Sequence, residues 1–302
     1  MPEPRRAEST NIDEKTVAGF GAEWSSFDQL ELSDEEYRLL FDRYFGIFPF
    51  DRLPANAEGF DLGCGSGRWA SGVIGKVGLL HCIDPSAKAL AVAERRLGGT
   101  PKARFHVAAA DSIPLADGSQ DFGYSLGVLH HIPDTQRALA DCVRKLKPGG
   151  WFLVYLYYSF DNRPGWYRAL WLVTDLGRRA ISRLPFPLRK GVTSAVAATI
   201  YWPLARVAEL AERTGANVSN FPLSGYRKTS FYSMRTDALD RFGTRLEHRF
   251  SRDEIRSMME AAGLTDIRFN DSEPYWVACG RKARSVTKRT TSAKRAATTA
   301  AE

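Results

Sequence analysis

Between residues 57 and 157, short apolar runs alternate with stretches in which apolar residues recur at helical spacing. This alternation is typical of βαβ units, and it predicts an α/β core with a mostly parallel sheet over residues 51–157. The predicted strands are Gly59–Leu62, Leu79–Ile83, Arg104–Ala108, Phe122–Leu126 and Trp151–Tyr157, and the predicted helices are Trp69–Val77, Ala87–Leu97 and Thr135–Leu146. The first strand is weakly apolar for its type, because Glu58 and Gly59 fall in it.

The alternation stops at Tyr158, and residues 158–245 instead carry aromatic, arginine-rich helical segments interrupted by five prolines. We interpret this stretch as a helical insertion after the fifth strand. The core pattern returns in residues 246–280, where Ser251 is the predicted N-cap of a helix and two strands follow. These last elements are Arg252–Ala262, Asp266–Asn270 and Tyr275–Gly280. The complete sheet is therefore predicted to have seven strands, with helices on both faces.

The two ends of the chain differ from this core. In residues 1–50, aromatic residues recur from about Thr16 onward and Ser33 precedes three acids, so two helices are predicted there. Residues 281–302 are small, polar and basic, with seven lysines and arginines against one acid. Such a segment cannot bury enough apolar area to offset its ordering entropy, and we predict a disordered basic tail.

The formal net charge of +7 is concentrated in this tail, so the rest of the chain is nearly neutral. The tail has no aromatic residues on which bases could stack, which disfavours nucleic acid as a partner. The four cysteines lack C-x-x-C spacing, which argues against a metal site and fits a reducing compartment. With no secretory signal and no apolar stretch of ~18 residues, we expect a soluble, cytoplasmic protein.

The turn after the first predicted strand carries the clearest chemistry. Residues 61–67, Asp-Leu-Gly-Cys-Gly-Ser-Gly, place three glycines at alternate positions, where the backbone can bend tightly and approach a ligand closely. A dinucleotide fingerprint would need a small residue at position 68, and Arg68 stands there. The acid Asp61 suits a ligand that has an ammonium group and no pyrophosphate, as a methionine-derived cofactor does.

Two further acids follow predicted strands. Asp84 ends the second strand, where a carboxylate can accept hydrogen bonds from ribose hydroxyls. Asp111 follows the third strand, where it could accept from an adenine amino group while Ile113 packs on the ring. Because ligands of open parallel sheets bind at the carboxyl ends of the strands, these acids are predicted to lie around one nucleoside.

Five ordered motifs resemble class I S-adenosylmethionine-dependent methyltransferases, and the ubiquinone-biosynthesis type is the most similar subgroup. The motifs are Phe60–Gly67, Cys82–Ser86, Ala110–Leu115, Asp121–Asp134 and Leu146–Leu153. Motifs in this order and spacing are more specific than any one of them alone. The resemblance implies a Rossmann-like methyltransferase fold and S-adenosyl-L-methionine as the cofactor.

Carried over residue by residue, the resemblance implies that the glycines line the methionine part and that Asp84 holds the ribose. Asp111 and Ser112 would face adenine, and Gly127 with the residues after it would border the sulfonium. The segment around Trp24 resembles an N-terminal lid, a role that falls to residues 1–50. The predicted cofactor contacts are Trp24, Asp61, Gly63, Cys64, Gly65, Gly67, Arg68, Asp84, Pro85, Ser86, Ala110, Asp111, Ser112, Ile113, Gly127 and Val128.

The predicted activity is methyl transfer to a small or medium-sized metabolite, on oxygen, with the insertion capping the acceptor. A hydroxyl acceptor needs a base, and His131, or else His130, at the end of the fourth strand is the candidate. The alternative for both histidines is that they only shape this loop and contact the cofactor.

Other functions stay open. The same fold can serve as a cofactor-binding regulatory module or support non-methylating chemistry. Methylation of RNA or protein is disfavoured, because residues 126–130, Leu-Gly-Val-Leu-His, stand where such enzymes commonly have an Asn/Asp-Pro-Pro-aromatic motif. The apolar segments that start at Trp166 and Ala195 are too short to span a bilayer and are expected to roof a pocket. The arginines near them leave peripheral membrane contact or a homodimer interface open.

Overall fold

The computed structural model describes residues 11–27, 29 and 31–284, and within them seven strands form one sheet. The strands are β1 (Glu58–Leu62), β2 (Leu79–Asp84), β3 (Ala103–Val107), β4 (Gln120–Leu126), β5 (Leu146–Tyr155), β6 (Leu264–Phe269) and β7 (Val277–Lys282). Their order is β3-β2-β1-β4-β5-β7-β6, and β7 runs antiparallel to both of its neighbours. The predicted seven-stranded, mostly parallel sheet is confirmed.

Two strands depart most from their predicted limits. β5 starts at Leu146, because this residue pairs with Gln120 ahead of a register shift in β4. β7 continues through Arg281, which pairs with Trp151 of β5, and ends at Lys282. Arg281 and Lys282, which were predicted to belong to a disordered tail over residues 281–302, are therefore part of β7. The predicted disorder of the tail concerns residues from 285 onward, which lie outside the described residues.

The described residues form ten α-helices. They are α1 (Glu14–Ser26), α2 (Asp34–Phe45), α3 (Arg68–Val73), α4 (Ala87–Leu97), α5 (Thr135–Lys145), α6 (Gly165–Ile181), α7 (Phe186–Val196), α8 (Trp202–Arg213), α9 (Phe231–Gly243) and α10 (Arg252–Ala261). Ser33 caps α2 as predicted, and Ser251 forms a capping box with Glu254 at α10. α1 starts earlier than expected, because the Asp13 carboxylate caps it by accepting from the Thr16 N–H.

Apolar side chains cover both faces of the sheet. One face packs under α2 and α3, with Phe45, Trp69 and Tyr124 among its buried side chains. The opposite face packs under α5 and α10, with Phe152 and Ile255 buried there. A sheet buried on both faces leaves the carboxyl ends of its parallel strands as the place where a crevice can open.

The weakly apolar first strand has a packing reason. Gly59 of β1 lies against the ring of Phe122 on β4, and a Cβ at this glycine would come within 2.3 Å of that ring. In the same way, Gly123 of β4 makes room for the ring of Phe60. The two glycines therefore leave room for two phenylalanine rings of the neighbouring strand. The ring of Phe122 supplies the apolar packing that β1 lacks at Gly59.

The insertion after β5 consists of α6 to α9, with a π-helical turn at residues 197–201 joining α7 to α8. Its own small core includes Tyr201, Met234 and Ala238. Of thirteen exposed large apolar side chains in the described residues, twelve belong to this insertion, so it is covered less completely than the core. None of the helices described here is long and apolar enough to cross a membrane. Peripheral membrane contact, which the sequence disfavours, and a homodimer stay open alternatives.

We predict that Gly59→Ala destabilises the protein by about 1–3 kcal/mol, because the added methyl overpacks against Phe122. The measurement is the free energy of unfolding from urea titrations followed by circular dichroism. Gly75→Ala is the matched control, since a Cβ at Gly75 meets nothing within 4 Å. The control should change stability by no more than about 0.5 kcal/mol. Equal stabilities for the two variants would contradict the packing argument.

Candidate functional site

The glycine turn after β1 is held by hydrogen bonds to the end of β2. Gly63 and Cys64 both donate their N–H groups to the Ile83 carbonyl, and Gly65 donates to the Asp84 carboxylate at 2.9 Å. Gly63 and Gly65 have φ values of 77° and 53°, which favour glycine. Because these three N–H groups are used internally, the turn does not offer them to a phosphate, as a pyrophosphate-binding loop would.

Asp84 lies at the tip of β2 with its carboxylate turned to the crevice. Its Oδ2 accepts from Gly65, and its Oδ1 accepts from the Ser86 N–H at 2.8 Å. Burial nonetheless raises the pKa of this carboxyl to about 6, because loss of water outweighs the two backbone hydrogen bonds. Each oxygen keeps a lone pair that can accept from a ligand hydroxyl.

A cavity of about 120 Å³ lies over this turn, and we call it the glycine-turn cavity. The tips of β1, β2 and β4 form its floor, and residues 11–17 with Phe20 and Trp24 of α1 cover it. Trp24 lies directly over Gly65, whose Cβ would come within 2.9 Å of the indole nitrogen. The predicted site residues that line the cavity are Trp24, Gly63, Cys64, Gly65, Arg68, Asp84, Pro85, Ala110, Gly127, Val128 and His131.

Asp61, Gly67 and Ser86 do not line this cavity, contrary to expectation. Asp61 is only 2% exposed and points into the core beside Tyr124, so it does not stand at the mouth. Burial raises the pKa of its carboxyl well above the usual value. Gly67 packs against Ala93 of α4, and Ser86 caps that helix by accepting from Ala89. All three residues lie on the core side of the glycine turn, away from the cavity.

The segment after β3 also differs from its predicted arrangement. A short 3₁₀ turn at residues 110–112 directs Ala110 to the cavity, leaves Ser112 exposed and sends Ile113 into the core. The Asp111 carboxylate accepts from the Asn11 N–H at 2.8 Å and so ties down the N-terminal segment. Asp111, Ser112 and Ile113 therefore stand outside the cavity wall, and Ala109 and Ala110 take their place.

The two histidines have different environments. His130 is fully buried, stacks on Tyr157 and lines neither this cavity nor the larger one described below. Burial lowers its pKa well below the usual value, so this ring stays neutral at neutral pH. His131 does line the glycine-turn cavity. Its Nδ1 lies 2.7 Å from the Leu246 carbonyl, and since a carbonyl only accepts, Nδ1 carries a hydrogen and Nε2 is the free nitrogen.

His131 belongs to a chain of polar groups that links two parts of the fold. Its Nε2 lies 3.8 Å from Oδ1 of Asp240 on α9, and the Tyr157 hydroxyl donates to Oδ2 of the same carboxylate. Burial raises the pKa of the Asp240 carboxyl, although His131 and Tyr157 oppose that shift. At this separation the imidazole and the carboxylate do not share a hydrogen bond, and neither His131 Nε2 nor Asp240 Oδ1 has another hydrogen-bond partner among the described residues.

A second cavity of about 430 Å³, which we call the insertion cavity, lies between the core and helices α6 to α9. Its wall is rich in aromatic rings, and it includes Tyr157. The aromatic lining residues are Tyr44, Trp69, Tyr155, Tyr157, Tyr158, Phe160, Tyr167, Trp171, Tyr201, Tyr226, Phe242 and Tyr275. Arg68 and Trp69 line both cavities, so the two meet at the start of α3.

Several of these residues were missed from sequence. Asp240 and Arg241 lie in the insertion, where no local sequence pattern distinguishes them. Asp240 comes 83 residues after Tyr157, its hydrogen-bond partner. Residues 11–15 precede the helical pattern predicted from about Thr16 onward, and only the polar pair Asn11 and Asp13 signalled an anchored start. Within the described part of the chain, no three His, Cys, Asp or Glu side chains cluster to hold a metal ion.

Comparisons with known proteins cover the part of the sequence that forms this site. The family described as "Methyltransferase domain" matches residues 60–154. A ubiquinone biosynthesis O-methyltransferase of Thiobacillus denitrificans is 34% identical over 111 residues, which are 36% of this chain and 46% of that protein. The phosphoethanolamine N-methyltransferase 2 of Caenorhabditis elegans is 34% identical over 100 residues, 32% of this chain and 23% of that protein.

The 27-O-demethylrifamycin SV methyltransferase of Amycolatopsis mediterranei is similar over a longer stretch, 24% identical over 224 residues, 70% of this chain and 75% of that protein. The chain carries a class I S-adenosylmethionine-binding methyltransferase domain. This methyltransferase domain contains the glycine turn, Asp84 and His131. The chain spans less than half the length of the first two relatives, and the family match ends at residue 154, before the insertion.

Proposed function

We propose that this protein transfers the methyl group of S-adenosylmethionine to an oxygen atom of a small or medium-sized metabolite. The observation that carries this proposal is the meeting of two cavities at Arg68 and Trp69. The glycine-turn cavity suits the cofactor, and the insertion cavity has the volume and aromatic wall of a small-molecule site. Transfer between them needs only alignment of donor and acceptor across this junction.

The residues of the glycine-turn cavity fit the cofactor. Asp84 would accept from the two ribose hydroxyls, and Ala110 would pack beside adenine. Arg68, whose guanidinium lies over the Trp69 ring and whose Nη1 donates only to the Gln29 side chain among described residues, would hold the methionyl carboxylate. Gly127 leaves open space where a Cβ would stand, so a ligand can pass its backbone closely. The bound cofactor supplies a methyl group on a positively charged sulfur that is already an activated leaving group.

The chain's own contribution begins with closure. Residues 11–17 are anchored by the bond from Asn11 to Asp111 and by two bonds between the Asn11 side chain and the Asp134 backbone. They place Phe20 and Trp24 over the cavity. A cover of this kind excludes water and holds the reacting groups in line, which is the main requirement of methyl transfer.

The second contribution is removal of a proton from the acceptor. We assign this role to Asp240 and His131 acting as a pair, with Tyr157 in contact with the insertion cavity. An acceptor hydroxyl beside Tyr157 would give its proton to the Tyr157 oxygen as the Tyr157 proton moves to Asp240. This supports oxygen as the methylated atom, since a hydroxyl needs a base and a neutral amine does not. His130, buried and neutral, has no part in it.

The acceptor is proposed to be a metabolite and not a macromolecule. The insertion roofs the second cavity, and an RNA base or a protein side chain would have to enter between its helices. The names of the three relatives refer to small molecules, although they include both an O- and an N-methyltransferase. The four cysteines are buried and unpaired, which suits a reducing cytoplasm.

We predict that the protein transfers a labelled methyl group from S-adenosylmethionine to the small-molecule fraction of a cell extract. RNA and protein fractions, incubated in parallel, should stay at background. The product is then identified by mass spectrometry, where an O-methyl group is expected. Label in the macromolecular fractions alone would refute the proposal, and absence of label with intact cofactor binding would favour a regulatory role.

We predict that the affinity for S-adenosylhomocysteine falls about tenfold between about pH 7.5 and about pH 5. The reason is that Asp84, with a pKa of about 6, becomes protonated and can no longer accept from both hydroxyls. Asp84→Asn should weaken binding by about 1–3 kcal/mol at neutral pH and abolish most of the pH dependence. Calorimetric titration measures both. An unchanged pH dependence in Asp84→Asn would refute the ribose assignment.

We predict that Asp240→Asn lowers kcat by about 10²–10⁴-fold on the identified hydroxyl acceptor, with the cofactor affinity unchanged. Tyr157→Phe should also lower kcat. In the unmodified enzyme the rate should rise with pH as the Asp240 carboxyl, whose pKa burial raises, loses its proton, and this rise should disappear in Asp240→Asn. Glu260→Gln, at an exposed position of α10, is the charge-matched control. A normal rate and pH profile in Asp240→Asn would exclude the pair as the base.

A further inference from the structure

Arg241 of α9 lies in the wall of the insertion cavity and has an unusual environment. Its guanidinium lies 6.0 Å from the ring centre of Tyr157 and 5.7 Å from that of Tyr226. Apart from ring contacts, residues 11–27, 29 and 31–284 provide it with neither a hydrogen bond nor an ion pair. By contrast, Arg178 of the same wall is paired with Asp175 at 2.7 Å.

The acids next to Arg241 on its helix are already engaged by tyrosines. Asp237, one turn earlier, accepts from the Tyr226 hydroxyl at 2.8 Å, and Asp240 accepts from the Tyr157 hydroxyl. The same two tyrosines therefore bind the acids through their hydroxyls and contact the arginine through their rings. Neither carboxylate pairs with Arg241 among the described residues, and its guanidinium lies in the cavity wall with ring contacts alone.

A guanidinium has five N–H donors and stays charged at all accessible pH values. Away from bulk water, such a group destabilises the fold unless an acceptor meets it. Arg241 is half-buried and lines the insertion cavity, so an acceptor can approach it from there. Arginine binds carboxylates and phosphates through two parallel hydrogen bonds, so an oxyanion is the partner that fits.

The rest of the cavity indicates the body of the ligand. Its wall is dominated by tyrosine, tryptophan and phenylalanine rings, against which an aromatic or similarly apolar body packs well. Tyr157 contacts Arg241 with its ring and Asp240 with its hydroxyl. An anionic group on Arg241 would thus hold the ligand beside the residue to which we assign proton transfer.

We propose that Arg241 forms an oxyanion subsite and that the methyl acceptor is an aromatic acid, bearing a carboxylate or a phosphate. The inference rests on the proposed function, since it names the acceptor class for the insertion cavity. The anion is held by the fork of the Arg241 guanidinium between the rings of Tyr157 and Tyr226, and the aromatic body extends along the tyrosine-rich wall toward the junction at Arg68 and Trp69.

The test is calorimetric titration of the full chain with three probes that share one ring system: 2-naphthoate, 2-naphthyl phosphate and the neutral 2-naphthamide. One or both anions should bind at least about tenfold more tightly than the amide, and which anion does so distinguishes carboxylate from phosphate. Arg241→Met should abolish this preference, and Arg241→Lys should retain part of it. Arg213→Met removes an exposed arginine outside the cavity and should leave all three affinities unchanged.

Thermal unfolding of the same variants gives an independent readout. Because Arg241→Met removes a cation that lacks an acceptor, its melting temperature without ligand should equal or exceed that of the unmodified protein. Equal affinities for the anions and the amide, or unaltered anion binding by Arg241→Met, would overturn the proposal. S-adenosylhomocysteine is titrated in parallel: its failure to bind would refute the proposed function, and a normal result would confine any failure to the subsite.

Discussion

The bond from the Gly65 N–H to the Asp84 carboxylate is the constraint on which the site depends. Together with the bonds that the Ile83 carbonyl accepts from Gly63 and Cys64, it fixes the tip of β1 against the tip of β2. The turn is then close enough for Trp24 to cover it and for α3 to begin at its end. A polar group at one strand tip thus determines the shape of the turn on the next.

The insertion adds a second layer that the core motif does not contain. α9 brings Asp240 to His131 and presents Arg241 to the large cavity, while its Tyr232 packs edge-on against Phe27, just after α1. α1, the insertion and the loop after β4 are therefore connected through α9. A change in the packing of α9 would displace all three, since close-packed elements transmit small displacements.

The strand ends could be predicted from sequence because alternation and glycine spacing are local signals. They located the glycine turn, Asp84 and Gly127, all of which reach the cavity wall. Asp111 and its neighbours could not be placed, because a 3₁₀ turn redirects them and a distant backbone N–H, that of Asn11, takes the carboxylate. Asp240 and Arg241 could not be predicted as site residues for a related reason. Helical spacing indicates that a helix is present, but it does not indicate which face of the helix contacts Tyr157.

The raised pKa of Asp84 connects the chemistry of the site to the stability of the fold. A carboxyl with a pKa of about 6 in the folded protein and an ordinary value of 3.8 prefers its protonated form when folded. Its ionisation therefore weakens the ligand-free fold progressively as the pH rises from about 4 to about 6, by about 3 kcal/mol in total. Burial shifts Glu23, Asp61 and Asp240 in the same direction. Under the proposed function, hydroxyl donors from a bound ligand would offset the cost at Asp84, and ligand binding and stability at neutral pH would then depend on the same buried carboxyl.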